Sequence, residues 1–100
     1  MDINSLVENA QGFQWDKGNS LKNWLKHGVL RGEVEEVFFN EPLLLFEDEK
    51  HSQDEDRILA LGRTDGGRFL VVAFTVRQNL IRVISARNMN HKERGAYEKA

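Results

Sequence analysis

The strongest constraint on the fold lies between Arg57 and Arg87. Three segments there, Arg57 to Arg63, Arg68 to Arg77 and Leu80 to Arg87, read as strands, the middle one richest in Val and Phe. Thr64-Asp65-Gly66-Gly67 separates the first two, and its glycines tolerate positive φ. Gln78-Asn79 separates the second pair as a two-residue turn. Strands joined this closely form an antiparallel meander, because a parallel pair needs a long crossover segment.

Upstream the period is helical, and Pro42 marks the change. Leu30, Val34, Val37 and Phe38 recur at i, i+4, i+7 and i+8, with Glu33, Glu35 and Glu36 on the other face, which predicts a helix. An earlier helix is predicted over about residues 17–27. Asp16 can cap its first amides, Leu21, Trp24 and Leu25 form its stripe, and Gly28 ends it. Phe13-Gln14-Trp15 alternates as a short strand, and residues 1–12, poor in apolar side chains, read as a loose arm or short turn. Leu43 to Phe46 is a strand, followed by an acidic loop through Asp56. Asn90 and Glu93 form a capping pair that opens a short last helix to about Lys99. The predicted class is α+β: two N-terminal helices on an antiparallel β-meander, with a short C-terminal helix. In a chain of 100 residues this is an arm over 1–12 and a single domain over 13–100.

The chain has no cysteine, so disulfides, thiolate nucleophiles and cysteine metal sites are excluded. Met1-Asp2-Ile3-Asn4 lacks a basic n-region, and the longest apolar run, Phe69 to Phe74, is too short to span a bilayer. The expectation is a cytoplasmic chain with no membrane partner.

Net charge is −2, but residues 1–56 carry −8 and residues 57–100 carry +6. The basic half has an anionic partner, or the two halves neutralise each other across the fold. A register counted from the turns puts Arg63 opposite Arg68, Leu61 opposite Leu70, Leu59 opposite Val72, Thr75 opposite Arg82 and Leu70 opposite Arg87. Leu59, Leu61, Leu70, Val72, Phe74, Val76, Ile81 and Val83 then share the face against the helices, with Arg63, Arg68 and Arg87 gathered at its end. Like charges so placed disfavour a sheet unless an anion joins them. In this register Arg82 and Arg87 fall on opposite faces, so they cannot share a phosphate unless the strand bulges.

No phosphate-binding glycine loop, EF-hand or sequence-level metal site is present. Of the histidines, His51 is the best candidate for acid–base work, and His27, beside Gly28, suits a helix C-terminus. Trp15 and Trp24 read as core, and Tyr97 as packing or an active-site hydroxyl.

Several runs together resemble the BrnT family. They are Trp15-Asp16, Asn23, Lys26-His27-Gly28-Val29 and Val37-Phe38, then Asp48, His51, Glu55-x-Arg57, Leu61-Gly62 and Gly67-Arg68. Val71-Val72, Thr75-x-Arg77, Ile81-Arg82-x-Ile84-Ser85-Ala86-Arg87, Lys92-Glu93-Arg94 and Tyr97-Glu98 complete the series. The resemblance covers about residues 13–98. It implies a RelE-like fold and a type II toxin with endoribonuclease activity that arrests growth. It also implies a BrnA-type antitoxin partner, with operator DNA reached only through the toxin–antitoxin complex. Asn19 departs from the pattern, since many members have lysine there.

Resemblance and position together nominate Arg57, Arg68, Arg82 and Arg87 for the phosphate and His51 as general acid or base. Lys26, Arg63, Arg77 and Tyr97 are the candidate RNA contacts, and no cofactor or metal is implied. The competing reading is a non-enzymatic module that binds an acidic partner through its basic half. Direct DNA binding is disfavoured, because the last helix mixes Lys92, Arg94 and Lys99 with Glu93 and Glu98.

Overall fold

The computed structural model describes residues 2–19, 27–51 and 55–100. In chain order the elements are α1 (Ile3–Glu8), β1 (Gly12–Gln14), α2 (Arg31–Phe39), β2 (Leu44–Glu47) and a 3-10 turn over Glu49–His51. Then come β3 (Ile58–Arg63), β4 (Phe69–Arg77), β5 (Leu80–Asn88) and α3 (His91–Glu98). One five-stranded sheet has the order β1-β5-β4-β3-β2. Its pairs are antiparallel except β1 with β5, which is parallel. The α+β class and the meander therefore hold.

The predicted arrangement of helices differs in one respect. The arm over 1–12 contains a helix. Asp2 caps it by accepting from the amides of Asn4 and Ser5, and Ile3, Leu6, Val7 and Ala10 pack against the core. Those four stand at i, i+3, i+4 and i+7, a helical stripe that a count of apolar residues overlooks. The helix predicted over 17–27 falls mostly on residues 20–26, which lie outside the described residues. Its predicted end is described: Gly28 has φ +64.

Turn geometry sets the register of β3, and here the prediction slips by one. The Thr64 amide donates to the Arg68 carbonyl and the Gly67 amide to the Thr64 carbonyl. Gly67 lies at φ +86, which makes a three-residue loop closed by a left-handed glycine. Arg63 therefore pairs with Phe69, Leu61 with Val71 and Leu59 with Ala73. A one-residue slip reverses every side chain. Ile58 and Ala60, not Leu59 and Leu61, face the helices with Leu70, Val72, Phe74, Ile81, Val83 and Ala86. Val34 and Val37 of α2 close that core. The approach is tight at Gly62, where a Cβ would stand 2.6 Å from Val37 Cγ1.

The opposite face carries a smaller cluster. Leu61, Val71 and Tyr97 are buried there, with Phe69 and Met89 around them, beneath α3. The second turn behaves as predicted: Gln78 and Asn79 both have positive φ, and Thr75 pairs with Arg82. Beyond it the strands do bulge. Phe74 pairs with Val83 but Ala73 pairs with Ser85, which leaves Ile84 unmatched. Arg87 consequently lies opposite Val71 rather than Leu70.

The last helix is held by charge. Glu93 accepts from the Asn90 amide at 2.8 Å and receives Arg87 in a bidentate pair at 2.7 and 2.8 Å. The Arg87 bond, more than the Asn90 bond, holds the Glu93 carboxyl below its ordinary range. Stability from such a group is present above the ordinary carboxylate range and is lost as pH falls through the folded value. Glu93→Gln is therefore expected to cost about 1 kcal/mol near neutrality, discounted for the solvent around Arg87. The difference from wild type should vanish in acid, as urea unfolding at the two pH values would show.

Candidate ribonuclease site

The bulge decides which arginines share a face. Thr75 faces Arg82, Ala73 faces Ser85 and Val71 faces Arg87. Side chains alternate along β4, so Arg82 and Arg87 both emerge on the α3 side of the sheet, with Arg77 and Arg63. The expectation that Arg82 and Arg87 oppose each other is corrected by Ile84. They remain about four strand steps apart, roughly 13 Å, too far for one phosphate.

At the end of this face near the Gln78-Asn79 turn, four charged groups stand together. Arg82 Nη1 donates to Asp16 Oδ2 at 2.6 Å, and the Gly18 amide donates to Asp16 Oδ1 at 2.8 Å. Arg77 Nε donates to both Glu55 oxygens, at 3.0 and 2.9 Å, and Arg77 Nη2 also binds Glu55. The Arg82 hydrogen bond lowers the Asp16 carboxyl, and the Arg77 hydrogen bond lowers that of Glu55. Arg82 also acts on Glu55 and Asp16 on Arg77 through space, so the four form one electrostatic unit. Arg57, just before β3, lies 3.4 Å from Asp48, and the Asp48 amide donates to the Arg57 carbonyl. The Thr75 hydroxyl, across from Arg82, is buried and has no hydrogen-bond partner among the described residues.

The remaining nominated residues lie elsewhere. Arg68 is on the helix side and donates to the carbonyls of His27 and Gly28, to Glu33 and to Asn88. Those four bonds use most of its five N–H donors and tie the hairpin to the segment before α2. Arg87 is engaged by Glu93. The predicted trio of Arg63, Arg68 and Arg87 is thus not assembled: Arg68 keeps the predicted face, while the three-residue loop turns Arg63, and the bulge turns Arg87, to the other. Arg63 is exposed, in a shallow depression with Asn40, Thr64, Asp65 and Gly67. Tyr97 is buried, its hydroxyl donates to the Pro42 carbonyl at 2.6 Å, and burial raises its pKa. Of its two predicted roles, packing is the one observed.

His51 ends the 3-10 turn, four residues before Glu55, and only its backbone is described. Lys26 lies outside the described residues. Asn19 is buried and donates to the carbonyls of Gln14 and Val83, each at 3.0 Å. A residue at that position serves the β1–β5 junction. Sequence reasoning missed Asp16 and Glu55 as partners of the arginines. The available signal was the charge split. Asp16–Arg82, Glu33–Arg68, Asp48–Arg57 and Glu55–Arg77 each join the acidic half to the basic half.

Comparison with known proteins bears on the fold and the family. No curated protein sequence matches the chain. Among solved structures, the 1.1 Å crystal structure of the Brucella abortus ribonuclease toxin, BrnT, superposes with a TM-score of 0.59 at 23% identity. The match covers 80% of this chain and 97% of that one, and it establishes a shared fold. The sequence profile described as "Ribonuclease toxin, BrnT, of type II toxin-antitoxin system" matches residues 15–93. That span takes in every strand from β2 to β5 and all the arginines of the site, and the chain belongs to the BrnT family of ribonuclease toxins.

Proposed function

We propose that this chain is a metal-independent endoribonuclease that cleaves cellular RNA in the cytoplasm, arrests growth and is neutralised by a BrnA-type antitoxin. The observation that carries the reading is the four-charge unit of Asp16, Arg82, Arg77 and Glu55. Two guanidinium groups on adjacent strands can fork onto a phosphodiester if they leave their carboxylates. Arg82 and Arg77 are the phosphate ligands in this reading, with Arg57 beside them. Arg68 and Arg87 hold the fold.

The reaction is a transesterification. The 2′-hydroxyl gives up its proton and O2′ attacks phosphorus. The bond from phosphorus to O5′ breaks, O5′ takes a proton, and a 2′,3′-cyclic phosphate remains. Glu55, released as Arg77 turns to the phosphate, takes the first proton. His51 supplies the second. The arginines neutralise charge on the equatorial oxygens as the phosphorane forms. Arg63 and Lys26 contact flanking nucleotides.

Operator DNA is reached through the antitoxin. Among the described helices only α3 has several bases, and there Arg94 pairs with Glu98 while Glu93 pairs with Arg87 of β5. The test uses purified chain, a labelled RNA and a chelator. Cleavage to a cyclic phosphate, unaffected by EDTA and blocked by the antitoxin, is the expected result. An intact RNA with folded protein would instead favour the non-enzymatic module.

A further inference from the structure

An apolar groove opens on the helix side of the sheet, where α1, β1 and the end of α2 meet. Val7, Ala10, Phe13, Phe38, Phe39 and Ile81 line it, and its volume is about 240 Å³. Phe13 packs edge-on against both Phe38 and Phe39, with centroids 5.4 and 6.3 Å apart. Phe39 is nevertheless 79% exposed, an unusual state for a ring held in an aromatic cluster.

We propose that this groove receives the antitoxin, through a short segment that seats one or two large apolar side chains beside Phe39 and carries Lys or Arg next to them.

Size speaks for a side chain rather than a small molecule. Ligand pockets run about 300–1,000 Å³, and this groove is smaller and open. It is the scale at which one aromatic or aliphatic anchor of a protein partner is buried.

Charge selects among protein partners. Among the described residues, no Lys or Arg lines the groove. Exposed Glu8 follows Val7, and exposed Glu41 lies two residues beyond Phe39. Glu35, one turn before Phe38 and Phe39, faces β1, where it accepts the Trp15 indole N–H at 2.7 Å. RNA is repelled by such a rim. A second copy docked about a two-fold axis would bring the same acids against themselves. A basic partner segment is attracted.

Position gives docking a consequence. Phe13 pairs with Ile81, and the next residue, Gln14, pairs with Arg82. The groove therefore ends about one strand step, roughly 3.3 Å along the sheet, from the backbone of the arginine proposed to hold the phosphate, whose side chain leaves on the opposite face. The occupant rests on the toxin reading above, but the groove does not. Val7, Ala10 and Phe13 also lie outside residues 15–93, the span that matches the family. Part of the groove thus lies outside the family-matched span, which suits a surface that distinguishes its own antitoxin from others.

The experiment titrates antitoxin, recovered from cells co-expressing it with wild-type chain, onto wild type, Phe39→Asp and the double variant Glu8→Lys/Glu41→Lys. Phe39→Asp should weaken Kd by about tenfold or more, since truncated anchors commonly cost that much. The charge reversal should weaken it further at low salt than at high salt. RNA cleavage by both variants should match wild type, because neither touches the arginine unit. Unchanged antitoxin affinity in both variants overturns the proposal. So does a dimer that Phe39→Asp converts to monomer while antitoxin binding persists. If wild type binds antitoxin and the variants do not, yet no RNA is cleaved, the groove stands and the ribonuclease reading fails.

Discussion

Arg82→Ala is expected to slow RNA cleavage by about 10²–10³-fold, the loss seen when a preorganised charge partner of a transition state is removed. The effect is on rate, not on folding. The Asp16–Arg82 pair is exposed on its Asp16 side, and such surface pairs add little to stability. Arg82→Lys should recover little, because a single ammonium does not reproduce the fork. A cleavage rate within about threefold of wild type for folded Arg82→Ala would remove this arginine from the mechanism. Asp16→Asn is an informative companion, since it frees Arg82 without deleting it.

The largest loss of stability is expected at Phe74. Its ring is fully buried and meets Phe38 edge-on at 5.1 Å. It also borders the step, between Ala73 and Phe74, at which the register of β4 and β5 shifts. Phe74→Ala should cost about 3–5 kcal/mol, from lost burial and the cavity left behind. A domain of this size has about 5–15 kcal/mol in total, so a large fraction of its margin is lost. The urea midpoint should fall with little change in slope, and a shift equivalent to under about 1 kcal/mol would mean the core closes around a different residue.

Reading the sequence located the meander, both tight turns, α2 and the capping pair of α3, because each has a local signature. It missed α1 for a different reason. Asp2 and the Ile3-Leu6-Val7-Ala10 stripe were present, but a short segment with four apolar residues yields a weak periodic signal. The parallel partnership of β1 with β5 had no local signature at all, since it joins residues almost seventy positions apart. The site shows the same division. Arg82 and Arg77 were legible by type and alternation. Asp16 and Glu55 were not, because pairing across the sheet depends on a loop's return path. Arg63 was misplaced by a single residue in one loop, where Gly67 takes the left-handed position.

The unmatched Ile84 makes the number of residues between Arg82 and Arg87 a structural quantity in its own right. Shortening that stretch by one would leave the Arg82 end intact and rotate everything after it. Ala86, now in the core, would then be exchanged with Arg87, and the carboxylate clamp of Glu93 would be on the wrong side of the sheet. Relatives can therefore vary the residue at this point more freely than they can vary the count. In comparisons among such chains, a gap between these two arginines should weigh more than several substitutions.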